Sequence, residues 1–174
     1  MRDLNKFGAT SRQQQSHQGF SLIELLIVVA IILIIASIAI PNFLRAKIAS
    51  HESSAVSSLR TINTSESAYF STYGVGYGTF AQLSTPAIPC AATAATACLI
   101  DPVLSAGTKS GYAFTAVPIG ANNLDFVSSA VPLQVGATGQ RTFCIDETGA
   151  VHMDPAGGAA PADDVGCEAL AVLQ

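Results

Sequence analysis

Charge is scarce in this sequence. Only 11% of its 174 residues are Asp, Glu, Lys or Arg, 49% are apolar and the mean hydropathy is +0.43, a balance that excludes an intrinsically disordered chain. A basic excess is missing outside one short stretch. Arg2, Lys6 and Arg12 against Asp3 give the first 19 residues a charge of +2, leaving 5 basic against 11 acidic side chains, or −6, over the rest. No nucleic-acid partner is expected from that balance. The four cysteines, Cys90, Cys98, Cys144 and Cys167, contain no C-x-x-C pair, and Cys90 and Cys98 have neither a histidine nearby nor a second cysteine pair at ligand spacing. A metal site is therefore not expected, and their even number and wide spacing read as disulfides made in an oxidising compartment. Histidines are few and scattered, with His17 near the start, His51 in mid-chain and His152 near the end. No Ser, His, Asp set can be built from them, so neither catalysis nor a cofactor is expected. Asp154, Asp163 and Asp164 lack the spacing of a calcium loop and read as solvated carboxylates.

What the chain does have is one long apolar run. From Leu25 to Ile40 fifteen of sixteen residues are apolar, Ser37 being the exception, and Phe20 to Glu24 extend the run to 21 residues. As a helix this length spans about 31 Å, one bilayer core. A secretory signal peptide cut after Ser37-Ile38-Ala39 would satisfy the small-x-small rule, but an ionisable Glu24 at the head of the run argues against it. Positive charge does not orient the span, since Arg2, Lys6 and Arg12 precede it and Arg45, Lys47 and Arg60 follow it, three against three.

At the junction Gln18-Gly19-Phe20-Ser21-Leu22-Ile23-Glu24, a basic, polar leader meets the apolar helix at a glycine, with a glutamate five residues beyond. This junction resembles the prepilin processing motif of type IV pilins and pseudopilins. Gly19 before a Phe, Glu24 at the fifth position after the glycine, the apolar helix and Pro41 all fall where that family has them, and the close resemblance covers residues 19 to about 60. It implies a leader, residues 1–19, removed by a prepilin peptidase that also methylates the amine of Phe20. It also implies a membrane and filament-core helix over 20–41, and assembly roles for Glu24 and Pro41. Glu24 is expected to accept the N-terminal ammonium of Phe20 from a neighbouring subunit.

Beyond the run the chain stays helical, because Pro41 is the only glycine or proline between Gly19 and Gly74. Over 42–73 the pattern becomes amphipathic. Ile48, Ala55, Leu59, Ile62, Tyr69, Phe70 and Tyr73 share one face, with Ser50, Ser54, Ser57, Ser58, Thr61 and Ser65 opposite. Glu66 intrudes on the apolar face as an edge residue whose carboxylate backbone amides would satisfy. Gly74, Gly76 and Gly78 end the helix, and residues 74–110 form a loop region with helical turns at Phe80 to Leu83 and, behind Asp101, at Pro102 to Leu104. In the last region, 111–174, strands are expected at Tyr112 to Val117, Leu124 to Ser129, Arg141 to Asp146 and Ala150 to Met153, the last two joined as a hairpin. The fold class is α+β, a long helix packed on a four-stranded antiparallel sheet, the lollipop outline of the pilins. Asp154 to Asp164 read as irregular. Of the three possible disulfide connectivities, Cys90 with Cys98 and Cys144 with Cys167 is the expected one, because local closure needs the least chain crossing.

The function expected is that of a structural pilus subunit for adhesion or twitching motility. It would insert in the bacterial inner membrane, contact lipid and the inner-membrane assembly platform, and then join other copies in a helical filament on the cell surface. A secretion pseudopilin, in a periplasmic pseudopilus, or a DNA-uptake pilin is the alternative. A conducting role is disfavoured by an aromatic content of 7%, and the sequon Asn63-Thr64-Ser65 is set aside because it falls on a helix.

Overall fold

The structure is a computed structural model describing residues 19–86 and 89–173; Arg2, Lys6, Arg12 and His17 lie outside the described residues. The chain divides between Ile40 and Pro41 into two compact units. One helix, α1 (Leu22–Tyr73), continues through Pro41 from the first unit into the second. In the first unit its apolar side chains are exposed almost without exception, and α1 is long and apolar enough there to cross a membrane. The one hydroxyl in the run, Ser37, donates to the carbonyl of Ile34 at 2.7 Å, so it meets its hydrogen-bonding need within the helix.

In the second unit α1 buries a stripe formed by Ala55, Leu59, Ile62 and Tyr69 against Tyr112, Phe114, Phe143 and Ile145 of a sheet. This stripe is wider than the apolar residues indicate. Ser58 and Ser65, expected on the outward face, are buried, whereas Phe70 is exposed. The reason is a cover on that flank: Ser65 Oγ donates to Leu99 O at 3.1 Å and Tyr69 Oη to Ala94 O at 2.6 Å, so loop backbone lies over the serine side. Gly74, with φ of +63°, ends the helix, and Gly76 sits so close to the turn at Asn122 that a Cβ there would lie 2.4 Å from its carbonyl oxygen. Two short helices follow: α2 (Phe80–Leu83), opened by a Thr79/Gln82 capping box, and α3 (Pro102–Ser105), opened by Asp101.

The sheet has six strands, not four. They are β1 (Thr108–Lys109), β2 (Tyr112–Ile119), β3 (Asp125–Pro132), β4 (Thr142–Asp146), β5 (Val151–Asp154) and β6 (Ala171–Val172), antiparallel and in chain order. The two strands added are the edges, each two residues long, too short for alternation to show and defined only by pairing Thr108 and Lys109 with Ala113 and Tyr112, and Ala171 and Val172 with Met153 and His152. Strand β2 also runs on through Pro118, which pairs with Phe126. A proline fits there because β1 reaches only as far as Ala113, leaving the other side of Pro118 without a ladder to break.

Strand alternation gives the sheet two covered faces. Phe143 and Ile145 of β4 face α1, whereas Cys144 joins Val127 and Cys167 in a second buried cluster. Cys167 lies in a helix not expected from the sequence, α4 (Asp164–Glu168), opened by Asp163, whose carboxylate accepts from Gly166 N at 2.7 Å.

Candidate functional site

Gly19 and Phe20 are exposed, and none of the described residues beyond its chain neighbours lies within 4 Å of the position a Cβ on Gly19 would take. The peptide bond between them joins two exposed residues. Two residues on, Ser21 heads α1: its carbonyl accepts from Leu25 N at 3.3 Å, and its own amide donates to Glu24 Oε2 at 2.9 Å. Ser21-Leu22-Ile23-Glu24 thus provides the glutamate half of a capping box, a signal that a reading centred on Gly19 and Glu24 passes over. Within one chain Glu24 therefore has a partner already, at the end of the helix where the dipole favours an anion. Immediately beyond, Leu22, Leu25, Leu26 and Val29 line a shallow, wholly apolar groove. Pro41 begins the second unit.

In the second unit two carboxylates hold α1. Glu52 Oε1 accepts from the amides of Gln140 and Arg141 at 2.9 and 3.1 Å, and Oε2 accepts from Arg141 Nε and Nη2 at 2.9 and 2.6 Å. Burial acts to raise the Glu52 pKa, but the Arg141 hydrogen bond and charge, with the two amides, hold it below the ordinary value. Next to it His51 Nδ1 lies 2.9 Å from Thr138 O, and Ser54 Oγ lies 2.9 Å from Ser110 Oγ. Glu66 is different. It is fully buried rather than at an edge, with Oε2 accepting from Gly78 N at 2.8 Å and Oε1 without a partner among the described residues. Burial pushes its carboxyl up to about 7 against the pull of the Gly78 amide.

Cys90 is bonded to Cys98, and Cys144 to Cys167. The first closes a loop beside Tyr69, and the second ties β4 to α4. The acidic residues of the C-terminal region serve turns: Asp154 accepts from the amides of Ala156 and Gly158 at 2.9 and 2.8 Å, as Asp163 does from Gly166. His152 Nδ1 lies 3.0 Å from Leu170 O, which links β5 to the C-terminal stretch. Among the described residues no group of three His, Cys, Asp or Glu side chains converges as a metal site would require. Asn63 of the sequon donates through Nδ2 to Asp146 O at 2.9 Å, so its amide already has a structural partner.

A family profile described as the prokaryotic N-terminal methylation motif matches residues 14–40. The type IV major pilin protein PilA of Myxococcus xanthus is 48% identical over 61 residues, which is 35% of this chain and 28% of that protein. The chain thus aligns with less than a third of the length of this curated relative. No solved structure gives a significant match.

Proposed function

We propose that this chain, which carries an N-terminal methylation motif and is similar to a type IV major pilin over 61 residues, is a structural subunit of a type IV pilus filament. The observation that carries the reading is the pairing of an exposed Gly19–Phe20 junction with an apolar run whose one acidic residue, Glu24, lies five positions beyond the glycine. A peptidase at the membrane face cuts after Gly19, and the new amine of Phe20 takes one methyl group. The subunit then waits in the bacterial inner membrane, its apolar run in lipid, until the assembly platform adds it to the filament.

Glu24 supplies both a cost and a register. A carboxylate on a membrane helix is unfavourable by roughly 2.5 to 3.5 kcal/mol if it resembles Asp on the insertion scale. A neighbour's N-terminal ammonium about 4 Å away, at an effective dielectric of about 20, attracts it by about 4 kcal/mol, which is comparable. Apolar contacts alone select no register, because lipid tails satisfy the same side chains before assembly. Ser21 N competes for one carboxylate oxygen, so the neighbouring ammonium has to take the other or displace it.

The test is the intact mass of the subunit in sheared surface filaments, alongside electron microscopy of a deletion strain. A chain beginning at Phe20 with one added methyl, and loss of filaments on deletion, are the expected results. A chain beginning at Ile40 would overturn the reading.

A further inference from the structure

The second unit opens with a groove that neither processing nor helix packing uses. It encloses about 490 Å³ between Arg45, Ile48 and Ala49 of α1 on one wall and Gln140, Arg141 and Pro155 on the other. From this groove we infer that the subunit binds the anionic headgroup of a membrane phospholipid while it waits in the bilayer, an inference that rests on the membrane-inserted stage of the proposed function.

Charge is the first argument. The carboxylate of the groove, Glu52, is fully engaged by two amides and two guanidinium nitrogens, so it balances Arg141 and nothing more. Arg45 is exposed and makes no salt bridge among the described residues, which leaves the groove with one net positive charge. Among the described residues Arg141 Nη1 donates only to the sulfur of Met153 at 3.5 Å, a weak acceptor that a phosphate oxygen outcompetes.

Position is the second. Arg45 follows Ile40, the last residue of the apolar run, by five positions and Lys47 by seven. Along a helix that is about 7.5 and 10.5 Å of chain, and the polar layer on each side of the hydrocarbon is about 5 to 7.5 Å thick. Chain contour alone keeps the Arg45 backbone at headgroup level or just above it, whatever the course of α1 at Pro41. The exposed apolar Phe43 and Leu44 lie between, as side chains of the interfacial layer do. Ile48, Ala49 and Pro155 give the groove apolar walls for the glycerol end of the lipid. A basic residue near a charged leaflet is worth about 1 kcal/mol, or about five-fold in occupancy.

The experiment reconstitutes the full chain in phosphatidylcholine vesicles carrying a trace of either phosphatidylglycerol or phosphatidylcholine with a photoactivatable headgroup. Flotation and peptide labelling are scored separately. The phosphatidylglycerol probe should label the peptides containing Ile48–Ala49 and Pro155 about five-fold more than the phosphatidylcholine probe. Arg45→Gln should abolish that preference and Arg45→Lys should keep it. Equal labelling by the two probes, or labelling indifferent to Arg45→Gln, would overturn the inference. Crosslinking of the groove to a second copy of the chain in place of lipid would overturn it too, in favour of a subunit interface. A chain that floats with neither vesicle removes the membrane reading and this inference with it.

Discussion

Glu52 and Glu66 are both buried on the sheet-facing side of α1, yet the first accepts four hydrogen bonds and the second accepts one. Glu52 meets the β4 end of the sheet, where a guanidinium and two free amides converge. Glu66 meets the loop after the helix, where Gly78 offers a single amide and the ring of Tyr69 packs nearby. Burial opposes the charge of both. Only at Glu52 do the donors outweigh it, so the two carboxylates link stability to pH with opposite sign.

Glu66 has a folded pKa of about 7, above its ordinary 4.5, so the folded chain keeps a proton that the unfolded chain releases. Stability therefore falls as pH rises from the unfolded value to the folded one, and is level beyond. Glu66→Gln, which keeps an acceptor for Gly78 N without a charge, should stabilise the chain at pH 8 by roughly 3 kcal/mol and have little effect at pH 4. Denaturant unfolding of the full chain in detergent at the two pH values checks this. Equal effects at both would show that Glu66 does not titrate in this way.

Glu52 behaves in the reverse sense. Its folded pKa is lowered, so its contribution is present above the ordinary value of 4.5 and lost as pH falls through the folded value. Glu52→Gln should cost about 1 to 3 kcal/mol at neutral pH, a charged hydrogen-bond figure discounted because Arg141 is partly exposed. The deficit should shrink on acidification. The same unfolding series, run from pH 7 down to pH 3, measures it.

The Cys144–Cys167 bridge closes a separation of 23 residues and the Cys90–Cys98 bridge one of 8. On the chain-entropy relation these are worth about 3.5 and 2.5 kcal/mol. Replacing Cys144 and Cys167 together with Ala should release α4 and β6 into rapid hydrogen exchange while β2 and β3 stay protected. Replacing Cys90 and Cys98 should instead loosen the cover over Tyr69. Hydrogen exchange read by mass spectrometry separates the two patterns.

Glu24→Val should leave cleavage after Gly19 intact, because the scissile bond lies outside the changed side chain. It should also remove the acceptor of Ser21 N, fraying the first turn of α1, and leave the subunit in the membrane. Intact mass reads the first outcome and filament counts by electron microscopy the second. Normal filaments with unchanged helical rise would exclude the register role.

The sequence by itself determined the long helix and its apolar first half, and it carries the Gly19–Phe20 motif on which the proposed processing rests. Each is a local pattern: an uninterrupted run, a glycine at a charge boundary, and glycines or caps where helices stop or start. It also determined the four central strands to within a few residues, because their alternation is long enough to read. Only tertiary structure decided the edges. β1 and β6 are too short to carry a pattern, and exist because β2 and β5 offer them open ladders. Ser58 and Ser65 look like an outward polar face, but which flank of α1 is covered depends on a loop that folds back from beyond Gly74. The same holds for the paired glutamates. In the sequence Glu52 is one more polar residue and Glu66 an intruder, and what distinguishes them is the number of donors that distant segments bring to each. Non-local contacts have no period to read.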